Sequence, residues 1–156
     1  ILKENNLIQI IKENIKLLSE VDNTVNISIN TNKQEIFINS DKEQLGRVFF
    51  NLIKNSIESI QQKSDKNPNF DKKISIEILD NNDHIRIILI DNGIGFNSLN
   101  NRIDEIFTPY FTTKKNGTGL GLSIVNKIIN DHGGEINFYP INDGAKIEID
   151  FNKRWQ

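Results

Sequence analysis

Two runs of alternating apolar residues, 73–79 (KISIEIL) and 84–90 (HIRIILI), flank the polar stretch Asp80-Asn81-Asn82-Asp83. Alternation at period two puts every second side chain on one face, and β-branched residues suit a pleated, half-buried strand. The pair predicts an antiparallel hairpin. Residues 26–30 (NISIN) and 35–39 (EIFIN) alternate in the same way, with Asn32-Lys33 at the turn between them. Residues 135–139 and 145–151 predict a final hairpin.

The remaining apolar positions have helical spacing. Within 2–21 they are Leu7, Ile8, Ile11, Ile15 and Leu18. That face reads either as packed on the core or as the tail of a connector helix from an upstream domain. Asp41 is placed as a helix N-cap with Gln44 as its capping-box partner, and the stripe Leu45, Val48, Phe49, Leu52, Ile53, Ile57, Ile60 carries that helix to about residue 62. Residues 61–72 are polar and contain Pro68, so they read as a loop. A third helix spans 120–132 and stops at Gly133-Gly134. Between 92 and 119 the chain is mostly irregular, and so long a loop in a compact domain is functional or disordered. Three helices can cover only one face of such a sheet. The expected fold is α/β (α+β): a two-layer sandwich, three helices on one face of a mixed, mainly antiparallel sheet. Residues 1–22 are expected to be a connector or first helix packed on the domain, and 23–156 the single domain itself.

Composition removes several function classes. The 156 residues contain no cysteine, which excludes disulfide scaffolds, thiolate metal sites and cysteine nucleophiles. With two histidines, His84 and His132, the chain is a poor candidate for a structural zinc site. No apolar run reaches the ~18 residues that a membrane span needs. Nineteen Lys+Arg against 21 Asp+Glu leave a net charge of −2 with no basic stripe, which argues against nucleic acid as the main partner. The sequence has no methionine and reads as an excised piece of a longer protein.

Three motifs carry possible chemistry. Asn51 and Asn55 stand at i and i+4 on the second helix, so their amides share a face one turn apart. Their carbonyl oxygens suit a hard cation or the surroundings of a phosphate, although two such residues in an Asn-rich chain are mostly just solvated. Asp91-Asn92-Gly93-Ile94-Gly95 follows the strand that ends at Ile90. Alone it is a glycine turn. As a site, it offers a strand-end carboxylate that can accept a hydrogen bond from an exocyclic amine and so reject a base lacking one. Gly117-Thr118-Gly119-Leu120-Gly121-Leu122 leads into the third helix, where unpaired N–H groups and the positive dipole end suit phosphate. It is not a P-loop, because the Lys-Ser/Thr ending is absent.

Each motif is weak alone, but their order on this element pattern resembles the ATP-binding catalytic domain of sensor histidine kinases, a branch of the Bergerat-fold ATPases with gyrase and MutL as relatives. The resemblance covers residues 41–151 through DKEQLGRVFFNLIKNSIESI, DNGIGF, IFTPYFTTKKNGTGLGL and SIVNKIINDHGGEI. The wording around Phe107-Thr108-Pro109-Tyr110-Phe111 and GTGLGLSIVNKI looks most like nitrogen-regulation kinases of the NtrY and NtrB type.

The resemblance implies roles residue by residue. Asn55 would hold Mg²⁺, Asn51 would support the metal and phosphate end, and Asp91 would bond the adenine amino group. Gly93 and Gly95 would admit the nucleotide. Gly117, Thr118, Gly119, Leu120, Gly121 and Leu122 would meet the phosphates. Residues 96–116 would be a lid, anchored by Phe107, Tyr110 and Phe111. Lys54 and Lys114 are candidate phosphate contacts by charge. Gyrase-like hydrolases carry a Glu at the position of Asn51, where it serves as base for water. An amide there favours phosphoryl transfer, and Glu58, about two turns on, is a poor substitute. The implied cofactors are ATP and Mg²⁺. The implied partners are ATP/ADP, a histidine-bearing dimerisation domain of the same parent protein and a downstream response regulator. Neither His84 nor His132 stands in the family's acceptor context, so the chain alone is expected to bind ATP without phosphorylating itself. His132 reads as a helix C-terminal residue facing the dipole. A cytoplasmic monomer with no membrane contact of its own is implied, whether or not the parent is anchored in the inner membrane. The alternative is a regulatory nucleotide-binding module or an anti-sigma-type serine kinase of the same fold.

Overall fold

In the computed structural model, which describes residues 1–95 and 121–153, the two alternating runs pair as an antiparallel hairpin within a larger sheet. In chain order the elements are β1 (Lys3–Asn6), α1 (Leu7–Ser19), β2 (Asn26–Thr31), β3 (Phe37–Ser40), α2 (Lys42–Lys66), β4 (Lys73–Asp80), β5 (His84–Asp91), α3 (Gly121–Asp131), β6 (Gly134–Ile141) and β7 (Gly144–Asn152). Five strands form one sheet in the order β2-β4-β5-β7-β6. The β2–β4 pair is parallel and the other three are antiparallel. Alternation works as expected: Ile74, Ile76 and Ile78 of β4 and Ile85, Ile87 and Leu89 of β5 are all buried. They meet the apolar stripes of the three helices, which lie on that one face. Each such side chain contributes roughly 1.5–3 kcal/mol when taken fully out of water.

Helix starts follow the local sequence. The Asn6 side chain accepts the Ile8 N–H at 3.1 Å, and the Asp41 side chain accepts the Gln44 N–H at 3.1 Å. Helix α2 then runs 25 residues, about 37 Å at 1.5 Å per residue. It passes residue 62, where the polar composition had suggested a stop, and ends at Lys66, just before Pro68. The charged C-terminal turns stay helical, with Lys63 and Lys66 at the dipole's negative end.

Two further expectations are corrected. Residues 3–6 are a strand, so α1 begins at Leu7 rather than near residue 2. Lys3-Glu4-Asn5-Asn6 has no apolar alternation, and its strand conformation comes from antiparallel pairing with β3. The runs at 26–30 and 35–39 are therefore not partners: β2 joins the main sheet beside β4, whereas β3 pairs with β1 in a separate two-stranded sheet.

His132 ties two helices together. It is 1% exposed. Its Nδ1 lies 2.7 Å from the Ile128 carbonyl at the end of α3, and its Nε2 accepts the Asp41 N–H at 3.1 Å. Accepting at Nε2 places the ring hydrogen on Nδ1. The predicted place at a helix C-terminus is right, but the ring is a strut from α3 to the N-cap of α2. His132→Ala should lower unfolding free energy by about 1–3 kcal/mol, the usual cost of stranding a partner. Urea denaturation measures it, and an unchanged transition midpoint would contradict the strut.

Candidate functional site

Strand β5 delivers Asp91 as its last residue, between Ile74 of β4 and Ala145 of β7. The position is enclosed, and Asp91 is 4% exposed. Both carboxylate oxygens have partners: Oδ2 accepts the Ser56 hydroxyl at 2.8 Å and Oδ1 accepts the Gly93 N–H at 2.9 Å. Burial pushes the carboxyl above the usual carboxylate range. The Gly93 and Ser56 hydrogen bonds and the Lys63 charge pull the other way without cancelling it. Each oxygen keeps a lone pair for one more donor.

The segment 91–95 is threaded between α2 and the β6–β7 turn. A Cβ at Gly93 would lie 2.7 Å from the Ser59 carbonyl carbon and 2.8 Å from the Ile60 nitrogen. Gly95 has φ +69°, and a Cβ there would lie 2.5 Å from the Gly144 carbonyl oxygen. Gly144 in turn presses against the Asp91 carbonyl oxygen. The close approach at both loop glycines is thus to the protein's own backbone. Ile94 completes the seat by donating its N–H to Ser59 Oγ at 3.0 Å.

One row of side chains on α2 organises the site. Glu43, Arg47, Asn51, Asn55, Ser59 and Lys63 recur every fourth residue and form a ridge inclined to the helix axis. Its N-terminal part walls an open cleft of about 550 Å³, lined by Glu43, Gly46, Arg47, Phe50 and Asn51, with Asn14 of α1 and Gly121 and Ile124 of α3 opposite. Its C-terminal part, with the adjacent Ser56, seats 91–95. Half-buried Asn55 lies between the two and directly precedes Ser56. Asn51 and Gly121 therefore share the cleft. Asp91 and Gly93 gather one to two turns further along α2 and do not line it.

The other predicted residues are placed as follows. Among the described residues, a Cβ at Gly121 would meet no atom within 4 Å, and the first residue of α3 lines the cleft. Leu122 packs against the core, and Lys54 is exposed and does not line the cleft. Tyr110, Lys114, Gly117, Thr118, Gly119 and Leu120, and the proposed lid at 96–116 with Phe107 and Phe111, lie outside the described residues. Sequence reasoning missed Ser56, Ser59 and Lys63. The recurrence of polar residues four apart through Asn51 and Asn55 was the signal that would have found the last two.

Residues 40–154 match the family described as histidine kinase-, DNA gyrase B-, and HSP90-like ATPase. Sporulation kinase A of Bacillus subtilis (strain 168) is 36% identical over 154 residues, 96% of this chain and 23% of that protein. Sensor histidine kinase ZraS of Escherichia coli (strain K12) is 33% identical over 129 residues, 81% of this chain and 26% of that protein. The chain spans about a quarter of the length of these curated relatives. The nucleotide-free catalytic domain of histidine kinase ThkA superposes with a TM-score of 0.82 at 29% identity, covering 98% of this chain and 96% of that one. ThkA in complex with the response regulator protein TrrA matches with a TM-score of 0.78 at 26% identity, covering 97% of this chain and 42% of that one. Sequence and architecture agree, and the chain belongs to the histidine kinase-, DNA gyrase B-, and HSP90-like ATPase family, as a homologue of the ATP-binding catalytic domains of sensor histidine kinases.

Proposed function

We propose that this chain positions ATP for transfer of its γ-phosphoryl group to a histidine carried by a separate dimerisation domain of the same parent protein. The observation that carries this reading is Asp91, a buried strand-end carboxylate held by Ser56 next to Asn55. The carboxylate would accept the 6-amino group of adenine, with its orientation already fixed by the Ser56 hydroxyl and the Gly93 amide. The phosphates would extend along α2 towards the Asn51–Gly121 cleft, where the N-terminus of α3 favours negative charge. A downstream response regulator is the partner suggested by the ThkA–TrrA complex.

Mg²⁺ fits this donor set. Two carboxamide oxygens on successive turns are hard donors, and among the described residues no three His, Asp or Glu side chains gather into a cage. Mg²⁺ uses few protein ligands and fills its octahedron with phosphate oxygens and water. Asn55 would ligate it, with Asn51 supporting the phosphate end. The ion supplies charge neutralisation at the phosphates. Asn51 cannot serve as a base for water, so the chain's own part is orientation of the nucleotide rather than hydrolysis.

The acceptor lies elsewhere. Both His132 nitrogens are engaged and the ring is buried. His84 sits on β5 with Nδ1 3.7 Å from Asp150.

Asp91→Asn should weaken ADP binding by about 1–3 kcal/mol while changing GDP binding much less, since it alters one base-specific acceptor. Parallel calorimetric titrations test this, and equal losses for both bases would contradict it. The pH dependence has a fixed sign. The ionised carboxylate is the acceptor, so ADP affinity should fall on acidification at a pH above the ordinary carboxylate value of about 3.9. In the nucleotide-free protein the linkage is opposite: stability contributed by Asp91 is fully present below that value and is lost as pH rises through the raised native one. Asn55→Ala should reduce the Mg²⁺ dependence of ADP binding. Titrations with and without Mg²⁺ that show undiminished coupling would refute the metal assignment.

A further inference from the structure

The C-terminal part of α2 carries a charged residue that the reading above does not use. Lys63 donates from Nζ to the Asn92 carbonyl at 2.9 Å, and the same ammonium lies 4.6 Å from the centroid of the Phe70 ring. Asn92 is engaged at every polar group. Its N–H donates to the Lys73 carbonyl at 3.3 Å, its Oδ1 accepts the Lys73 N–H at 2.9 Å, and its Nδ2 donates to the Asp71 carbonyl at 2.5 Å. The residue after Asp91 is therefore fixed from two sides: by backbone at 71–73 and by one lysine from α2. A lysine at this place brings a hydrogen bond and also a positive charge close enough to act on the buried carboxylate.

We infer that Lys63 is a positioning residue of the base subsite: anchored on Phe70, it clamps the Asn92 carbonyl and thereby holds the Asp91 carboxylate in register for an exocyclic amine. The inference rests on the proposed role of Asp91 as the base acceptor. Asp91 is faced by the Ser56 hydroxyl and the Lys63 charge from α2 and by the Gly93 amide from its own loop, while the flanking strands place Ile74 and Ala145 opposite it. Lys63 thus supplies positive charge to the subsite as well as a hydrogen bond. A clamp of this kind separates two effects. The hydrogen bond to Asn92 sets geometry, and hence affinity when the carboxylate is ionised. The charge sets the pH at which the carboxylate is protonated and the acceptor lost.

The test is calorimetric titration of the whole chain with ADP from slightly alkaline pH down through the acid range, using wild type, Lys63→Met, Lys63→Gln and Lys63→Arg. Lys63→Met should bind roughly three- to tenfold more weakly at slightly alkaline pH, the scale of one partly exposed charge-assisted bond. Its acid-side midpoint should also move up in pH. Lys63→Gln keeps an N–H for the Asn92 carbonyl but no charge, so it should retain most of the affinity and still show the upward move. Lys63→Arg should restore both. A Lys63→Met variant that loses affinity uniformly, with its midpoint in place, has lost only structure, and the inference fails. If Lys63→Met does not fold, the midpoint of Lys63→Gln decides alone, and a wild-type value overturns the inference. Asp91→Asn measured beside them separates the two levels. If it keeps the preference for ADP over GDP, the base-acceptor reading falls. If it loses that preference while the Lys63 variants match wild type in affinity and midpoint, the Lys63 inference alone is wrong.

Discussion

A carboxylate taken almost entirely out of water constrains everything around it. Burying an ionised group unpaired costs far more than any single contact returns, so its partners must be close and fixed. Asp91 meets this demand with one hydroxyl from α2 and one amide two residues further along its own chain. The amide is available only because the backbone turns back at Gly93, and Gly93 fits against Ser59 and Ile60 only because it lacks a side chain. The hydroxyl is available only because α2 crosses the end of β5 at the turn carrying Ser56. The placement of the central strand, the long helix and the β6–β7 turn can therefore be read as the conditions for one buried charge.

Helix α2 converts that local constraint into a site with two ends. Its every-fourth-residue ridge joins the seat of 91–95 to the cleft beside α3, and a rigid helix fixes the span between them. His132 holds the far end by connecting the last turn of α3 to the N-cap of α2. An elongated nucleotide, with an amine at one end and phosphates at the other, matches this division better than a compact ligand would. The residues matched by the family, 40–154, begin just before α2 and include α3 and both hairpins of the main sheet.

Much of this was legible in the sequence. The β4–β5 and β6–β7 hairpins followed from period-two alternation and the single helical face from the count of three helices. The start of α2 followed from Asp41 as N-cap, although the Asp41 N–H goes to His132 and not to a capping-box Gln44 side chain. Asp91 was legible as a strand-end carboxylate because it directly follows an alternating run. The failures share a cause. Lys3-Glu4-Asn5-Asn6 is a strand only because β3 lies beside it, and β2 leaves β3 for β4 only because the main sheet offers a parallel edge. Neither pairing is encoded within the segment concerned. Ser56, Ser59 and Lys63 went unread for a related reason: a polar residue on a helix gains meaning only when the loop that faces it is known.

A structure of the chain with a non-hydrolysable ATP analogue tests the central claim most directly. The account predicts the adenine amino group within hydrogen-bonding distance of the Asp91 carboxylate and the phosphates on the side of Asn51 and Gly121. An adenine seated away from Asp91, or phosphates lying against the C-terminal turns of α2, would contradict it.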